Sequence, residues 1–157
     1  MGATTMRAQD AISAKLATAY ITIGSNRYLL FQAKNFEANF EKNKGEVAIL
    51  GRTGVGHKST GWSGSGSMTI YKNTELFDDM CEEFKRTGKD TYFDVQVTNE
   101  DPTSAAGRST KIFKDCNIDG AVLASFDADG EWLEQDVDFT FEDYESPEKF
   151  NVLAGMQ

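Results

Sequence analysis

The chain has 157 residues, with 25 Asp plus Glu, 16 Lys plus Arg and one His, for a formal net charge of −9. All of the excess lies between Asp127 and Glu148, a stretch rich in acids and without a base. Such a chain does not fit a phosphate-gripping surface, which needs clustered Lys and Arg, and its length suits one domain with a real core.

No apolar run approaches the roughly 18 residues that span a membrane. Residues 1–10 hold no apolar h-region, so no secretory signal is expected. Cys81 and Cys116 are distant in sequence. They allow a disulfide, but two free thiols in a reducing compartment is the reading we favour.

Residues 1–17 are small and polar and read as an N-terminal arm, with room for a short helical turn. Tyr20–Ile23 and Tyr28–Phe31 flank a Gly24-Ser25-Asn26 turn and predict a hairpin. In residues 34–43, Phe36, Ala38 and Phe40 alternate with Glu37, Asn39 and Glu41, a period of two that predicts a strand with one dry face. Val47–Leu50 continues it. Residues 51–66 then hold six of the fourteen glycines. Glycine this dense predicts a flexible loop. Met68–Tyr71 follows as a strand.

One helix is expected over 74–88, capped by Asn73 or Thr74 and ended by Gly88. Acids fill its first turns, Lys85 and Arg86 its last. Its stripe of Leu76, Phe77, Met80, Cys81 and Phe84 needs a sheet to cover. Strands resume at Tyr92–Val97, Thr110–Asp119 and Ala121–Phe126, with a turn at Asp127–Gly130. Residues 133–141 place Leu133, Val137, Phe139 and Phe141 on one parity and Asp136, Asp138 and Thr140 on the other. Pro147 is expected to end the last strand, leaving 149–157 as a C-terminal tail. The sum is a mainly β fold with one flanking α-helix.

Several chemical motifs come close and fail. Gly51–Ser59 resembles a phosphate-binding loop, but His57 stands where GxxxxGK[ST] requires Lys, and glycines follow where its helix must start. Ser125–Gly130 with Asp136 partly matches a calcium-binding EF-hand loop. It lacks the first Asp and the bidentate Glu, and its flanks read as strands. A polar turn explains it better. His57 has no Cys, Asp or Glu near it in sequence, and Cys81 lies on the apolar stripe of the helix, where packing explains it. Trp62 either folds back on its own domain or anchors on a partner. The acids Glu134, Asp136, Asp138 and Glu142 form either a solvated face or a surface that repels something negative. No catalytic residue, metal site or cofactor is implied.

Three blocks share one resemblance. They are Phe36–Lys72, with its glycine-rich centre, Ala8–Ser13, and Phe139–Tyr144 with Pro147–Lys149. Together they resemble the tail tube protein of contractile-tailed bacteriophages, in the branch of phage-like elements and prophages of Gram-positive bacteria. The resemblance implies a single tail tube domain with a β-sandwich- or barrel-like fold. Six such subunits would join their sheets into a ring, and the rings would stack into a hollow tube. The implied partners are further copies of the chain, the tail sheath, and the baseplate, tape-measure and tail terminator proteins. DNA would pass through the lumen without specific binding in a true phage, and a headless particle would puncture cells. The location would be a virion tail or phage-tail-like particle assembled in the host cytoplasm.

On this reading Gly51, Arg52, Gly54, Gly56, His57, Lys58, Gly61, Trp62 and Gly64 form an assembly loop that orders against a neighbouring subunit. Glu134, Asp136, Asp138 and Glu142 are candidate lumen acids. The competing expectation is a small monomeric β-barrel that binds a ligand, with the glycine loop as its lid.

Overall fold

The computed structural model describes residues 5–30 and 33–153. Residues 1–4 of the expected arm, Phe31 at the end of the second expected strand and residues 154–157 of the expected tail lie outside them. The described chain divides into two units.

The first unit draws on residues 5–30, 91–116 and 143–153. Its strands are β1 (Ala17–Ile23), β2 (Asn26–Leu29), β5 (Phe93–Glu100), β6 (Arg108–Ile118) and β8 (Asp143–Glu148). All pairings are antiparallel, in the order β2-β1-β5-β6-β8. The hairpin of β1 and β2 turns on Gly24, whose φ of +61° suits a residue without Cβ. Ile21, Phe93, Val95, Phe113 and Cys116 are buried here.

The arm is docked over residues 10–16. The Ser104 hydroxyl donates to the Asp10 carbonyl (2.9 Å) and the Ala105 amide to the Asp10 carboxylate (3.0 Å). The Ser13 amide donates to Asp101 (3.1 Å), and the Glu100 amide to the Leu16 carbonyl (3.3 Å). Polar contacts from residues 100–105, distant in sequence, thus fix a segment whose composition carries no hydrophobic period.

Pro147 does not end the last strand but lies inside β8. It sits where the register against β6 shifts, between the pairs Ile112–Glu145 and Thr110–Glu148. An edge strand at an irregularity is where a residue without N–H is tolerated.

The second unit draws on residues 33–90 and 117–142. It holds β3 (Ala33–Val47), β4 (Gly56–Tyr71), the helix α1 (Leu76–Thr87) and β7 (Glu134–Phe141). The strand order is β3-β4-β7, and the end of β6 adds Asn117 and Ile118 opposite Thr140 and Phe139. Met68, Ile70, Val137, Phe139 and Phe141 form the core with Phe77 and Met80 of α1. Asp78 ties the helix to the sheet through the Lys72 ammonium and the Gln135 amide (3.2 Å).

Gly88 ends α1 as expected, at φ +76°, with its amide donating to the Phe84 carbonyl (2.8 Å). The start differs: Glu75 is the capping position and no side chain caps it, neither Asn73 nor Thr74. Phe84, expected on the buried stripe, is half exposed.

Two further expectations are corrected. Ala121–Phe126 is irregular, not a strand. β propensity had no partner strand to act on, and the Val122 carbonyl instead accepts from the Gln135 side chain (3.3 Å). Residues 56–66 are not a flexible loop: they are the first two-thirds of β4, paired with β3 from Gly56 to Ile70. Only residues 48–55 connect the strands. The lid of a monomeric barrel is therefore absent, and among the described residues neither sheet closes on itself.

Candidate assembly surfaces

Glycine in β4 supplies space. Gly64 pairs with Phe40 and Phe141, and Gly66 with Ala38 and Phe139. A methyl group on Gly66 would lie 2.5 Å from the Glu37 carbonyl oxygen and 2.5 Å from the Phe139 ring, and the Phe141 ring fills the corresponding space at Gly64. The rings lie on bare backbone and stack further: Phe36 on Phe139 at 5.5 Å, Phe40 on Trp62 at 4.8 Å, and Trp62 near Phe141 at 6.2 Å. Trp62 packs on its own unit, against Phe40 and Phe141. The residue as a whole remains 37% exposed.

The opposite face of the same three strands is polar. β7 points Asp136, Asp138 and Thr140 outward while Gln135, Val137, Phe139 and Phe141 are buried. β4 sets Thr69, Ser67 and Ser65 beside them in register. β3 adds Glu37 opposite Ser67, Asn39 opposite Ser65 and Glu41 opposite Ser63. Strand spacing places Glu37 about 10 Å from Asp138 on one face. Thr69 donates its hydroxyl to Asp136 (2.7 Å).

Of the four expected acids, Asp136 and Asp138 share this face, and Glu142 is exposed in the bend between β7 and β8. Glu134 has the same parity in β7 as Asp136 and Asp138, and Lys34 reaches it at 2.9 Å, a basic partner that sequence proximity did not show. The contact holds the Lys34 ammonium pKa above its ordinary value, through the hydrogen bond first and the charge second. Glu37 and Glu41 were not among the expected acids. Their alternation with Phe36 and Phe40 marked them as outward, but only the pairing through β4 joins them to Asp138.

The expected assembly residues divide. Gly51, Arg52 and Gly54 lie in the turn, whereas Gly56, His57, Lys58, Gly61, Trp62 and Gly64 belong to β4. A bulge opposite Asn43 and Lys44 leaves Thr60 outside the register, its hydroxyl donating to the Asn43 carbonyl (3.1 Å). Val47, Ile49, Leu50 and Val55 are exposed around the tip, Leu50 fully. Along its other edge β3 pairs with no strand among the described residues.

The cysteines are free. Burial first, and the nearby Asp94 carboxylate second, push the Cys116 thiol up to about 12, and burial also raises Cys81. Neither is poised as a nucleophile. Asp127–Gly130 is a turn closed by the Gly130 amide on the Asp127 carbonyl (3.1 Å), with the Asp129 amide on the Asp127 carboxylate (3.0 Å).

Residues 4–148 match the family described as phage tail tube protein. The phage-like element PBSX protein XkdM of Bacillus subtilis (strain 168) is 40% identical over 146 residues, covering 93% of this chain and 97% of that relative. Three solved structures share the fold at low identity. A chain of the 6-fold symmetrised anti-feeding prophage baseplate aligns with TM-score 0.65 and 10% identity, covering 87% of this chain and 94% of its own. The SPP1 tail tube aligns with TM-score 0.63 and 10% identity over 90% and 81%. A chain of an extracellular contractile injection system sheath–tube complex aligns with TM-score 0.60 and 12% identity over 82% and 86%.

Proposed function

The chain belongs to the phage tail tube protein family, and from that membership we propose that six copies close into a ring and that rings stack into a hollow tube. The tube is the inner conduit of a contractile tail or tail-like particle. It passes DNA in a phage and punctures cells in a headless particle. Its role is structural, with no catalysis and no cofactor. Its partners are its own copies along the tube, the sheath around it, the tape-measure protein, and the baseplate and terminator at its ends. It resides in the virion tail or tail-like particle and is assembled in the host cytoplasm. The sixfold baseplate and the sheath–tube complex that share the fold support this reading.

One observation carries it: a three-stranded sheet with an aromatic face, an acidic hydroxyl-rich face and an open edge along the fifteen-residue β3. A long open edge is a hazard in a monomer. In a ring each edge meets the next copy and disappears. Glu134, Asp136, Asp138 and Glu142, joined by Glu37 and Glu41, then face the lumen and repel the phosphate backbone, so that a duplex slides without sticking. The tip at residues 48–55 reaches a neighbouring ring.

Electron microscopy and sedimentation of the concentrated, tag-free protein test this. Rings or tubes are expected, and only monomers would refute the reading. In a structure of the tube, Asp136 and Asp138 facing outward would remove the lumen assignment. Deleting residues 49–55 is expected to leave the fold intact and halt tube growth.

A further inference from the structure

The two ends of the second unit carry opposite charge. β7 covers β4 only from Gly64 to Tyr71, so the β3–β4 hairpin runs on past the three-stranded sheet by about 26 Å, at roughly 3.3 Å per residue. That projecting end bears Lys42, Lys44, Arg52 and Lys58 against the two acids Glu41 and Glu46. None of these four bases takes part in the ion pairs among the described residues. Leu50 is fully exposed at the tip and Val55 half exposed.

The other end holds the loop of residues 119–133. It leaves β6 with the Asp119 amide on the Asp138 carbonyl (2.8 Å) and returns where the Lys72 amide donates to the Leu133 carbonyl (2.8 Å). It carries Asp127, Asp129 and Glu131 and no base. It also exposes Leu123 (66%), Phe126 (97%) and Trp132 (72%). Exposed aromatics of this size on one loop mark a contact surface.

We propose that the basic, aliphatic tip of the β3–β4 hairpin of one copy docks on the acidic, aromatic 119–133 loop of a second copy. The inference rests on the tube reading and names the surface that receives the tip. Gly56 and Tyr71 are about 50 Å apart along an extended strand, so a copy does not satisfy its own tip. Two tips repel, as do two loops, while tip and loop attract. The contact is therefore head-to-tail, the kind that propagates along an axis instead of closing as a dimer. Apolar groups meet at its centre, and charges steer and fix the register.

Charge exchange tests it. Reversing the tip (Lys44→Glu with Lys58→Glu) or the loop (Asp127→Lys with Asp129→Lys) is expected to slow assembly, followed by light scattering, by about tenfold or more at low salt. Combining both reversals in one chain is expected to restore the rate to within about threefold. Circular dichroism of each variant verifies the fold. A reversed loop that assembles like the unaltered protein, or a combined variant as slow as the single reversals, overturns the proposal. A photo-crosslinker at Leu50 gives a second measurement with the charges in place. Intermolecular adducts are expected within residues 119–133, and adducts confined elsewhere overturn it. The two readings fail differently. An unaltered protein that never forms tubes sinks the tube reading and this inference with it. Tubes indifferent to both reversals sink this inference alone.

Discussion

Alanine at Gly66 and at Gly61 separates two accounts of the glycines in β4. If they serve flexibility, the two substitutions act alike. If they make room for rings, they differ in sign. At Gly66 the new methyl lies 2.5 Å from the Glu37 carbonyl oxygen and 2.5 Å from Phe139 Cζ, where ordinary contacts begin near 3.4 Å. Phe139 is fully buried and stacked on Phe36, so its ring cannot swing aside. Overpacking of this kind costs about 1–3 kcal/mol. Removing a glycine from the unfolded ensemble recovers about 0.4–1 kcal/mol. The clash wins, and Gly66→Ala is expected to lose about 1.3 kcal/mol net, a drop in Tm of roughly 3–5 °C at this size. At Gly61 nothing lies within 4 Å and φ is not positive, so Gly61→Ala is expected to be neutral or slightly stabilising. Equilibrium urea unfolding of the dilute monomer reads both. A Gly66→Ala protein as stable as its parent, or a Gly61→Ala protein equally impaired, would show the spatial argument to be wrong.

Further outcomes follow from the same geometry. Trp62→Ala is expected to cost the dilute monomer about 2 kcal/mol, because it strips contacts from Phe40 and Phe141. Trp132→Ala, at an exposed position, should stay within about 0.5 kcal/mol, and equal losses in thermal unfolding would contradict the assignment. The Asp101 carboxylate is held below its ordinary pKa by the Thr103 hydroxyl, the Thr103 amide and the Ser13 amide. A depressed pKa contributes stability above the unfolded value near 3.9 and loses it as pH falls through the lower folded value. The gap between the parent and Asp101→Asn, from urea titrations across pH, should therefore vanish in acid; a gap that persists at about pH 2 would refute this. Cys116, pushed up to about 12, should resist Ellman's reagent at about pH 8 in the folded protein and react in guanidinium; prompt reaction of both thiols in the native state would argue against its burial.

Period and parity carried most of the fold into view. β7 is an example, since the alternation of Val137, Phe139 and Phe141 with Asp136 and Asp138 fixes its two faces without a partner. Gly88 announced the end of α1 through its left-handed conformation. What stayed hidden depends on contacts distant in sequence. The glycines of β4 look like a loop until Phe139 and Phe141 are seen lying on them. Ala121–Phe126 has strand composition but no strand to pair with. Lys34 neutralises Glu134 across a hundred positions, and Asp10 is buried by partners near residue 105. The acids of β7 were legible as a row. Their extension to Glu37 and Glu41 was not, because it is a property of register.

The β3–β4 ladder also has a mechanical side. From Gly64 to Tyr71, β4 is clamped between two strands; from Gly56 to Ser63 it is held by β3 alone. The hairpin is thus a cantilever, rooted in the aromatic packing and loaded at its free end. An extended strand has little length left to give, so an axial pull on the tip is carried along the backbone to the root. The bulge at Thr60 breaks the ladder partway along and concentrates bending there. Within one copy the hairpin therefore has a single point, at Thr60, where it can bend without a strand unzipping.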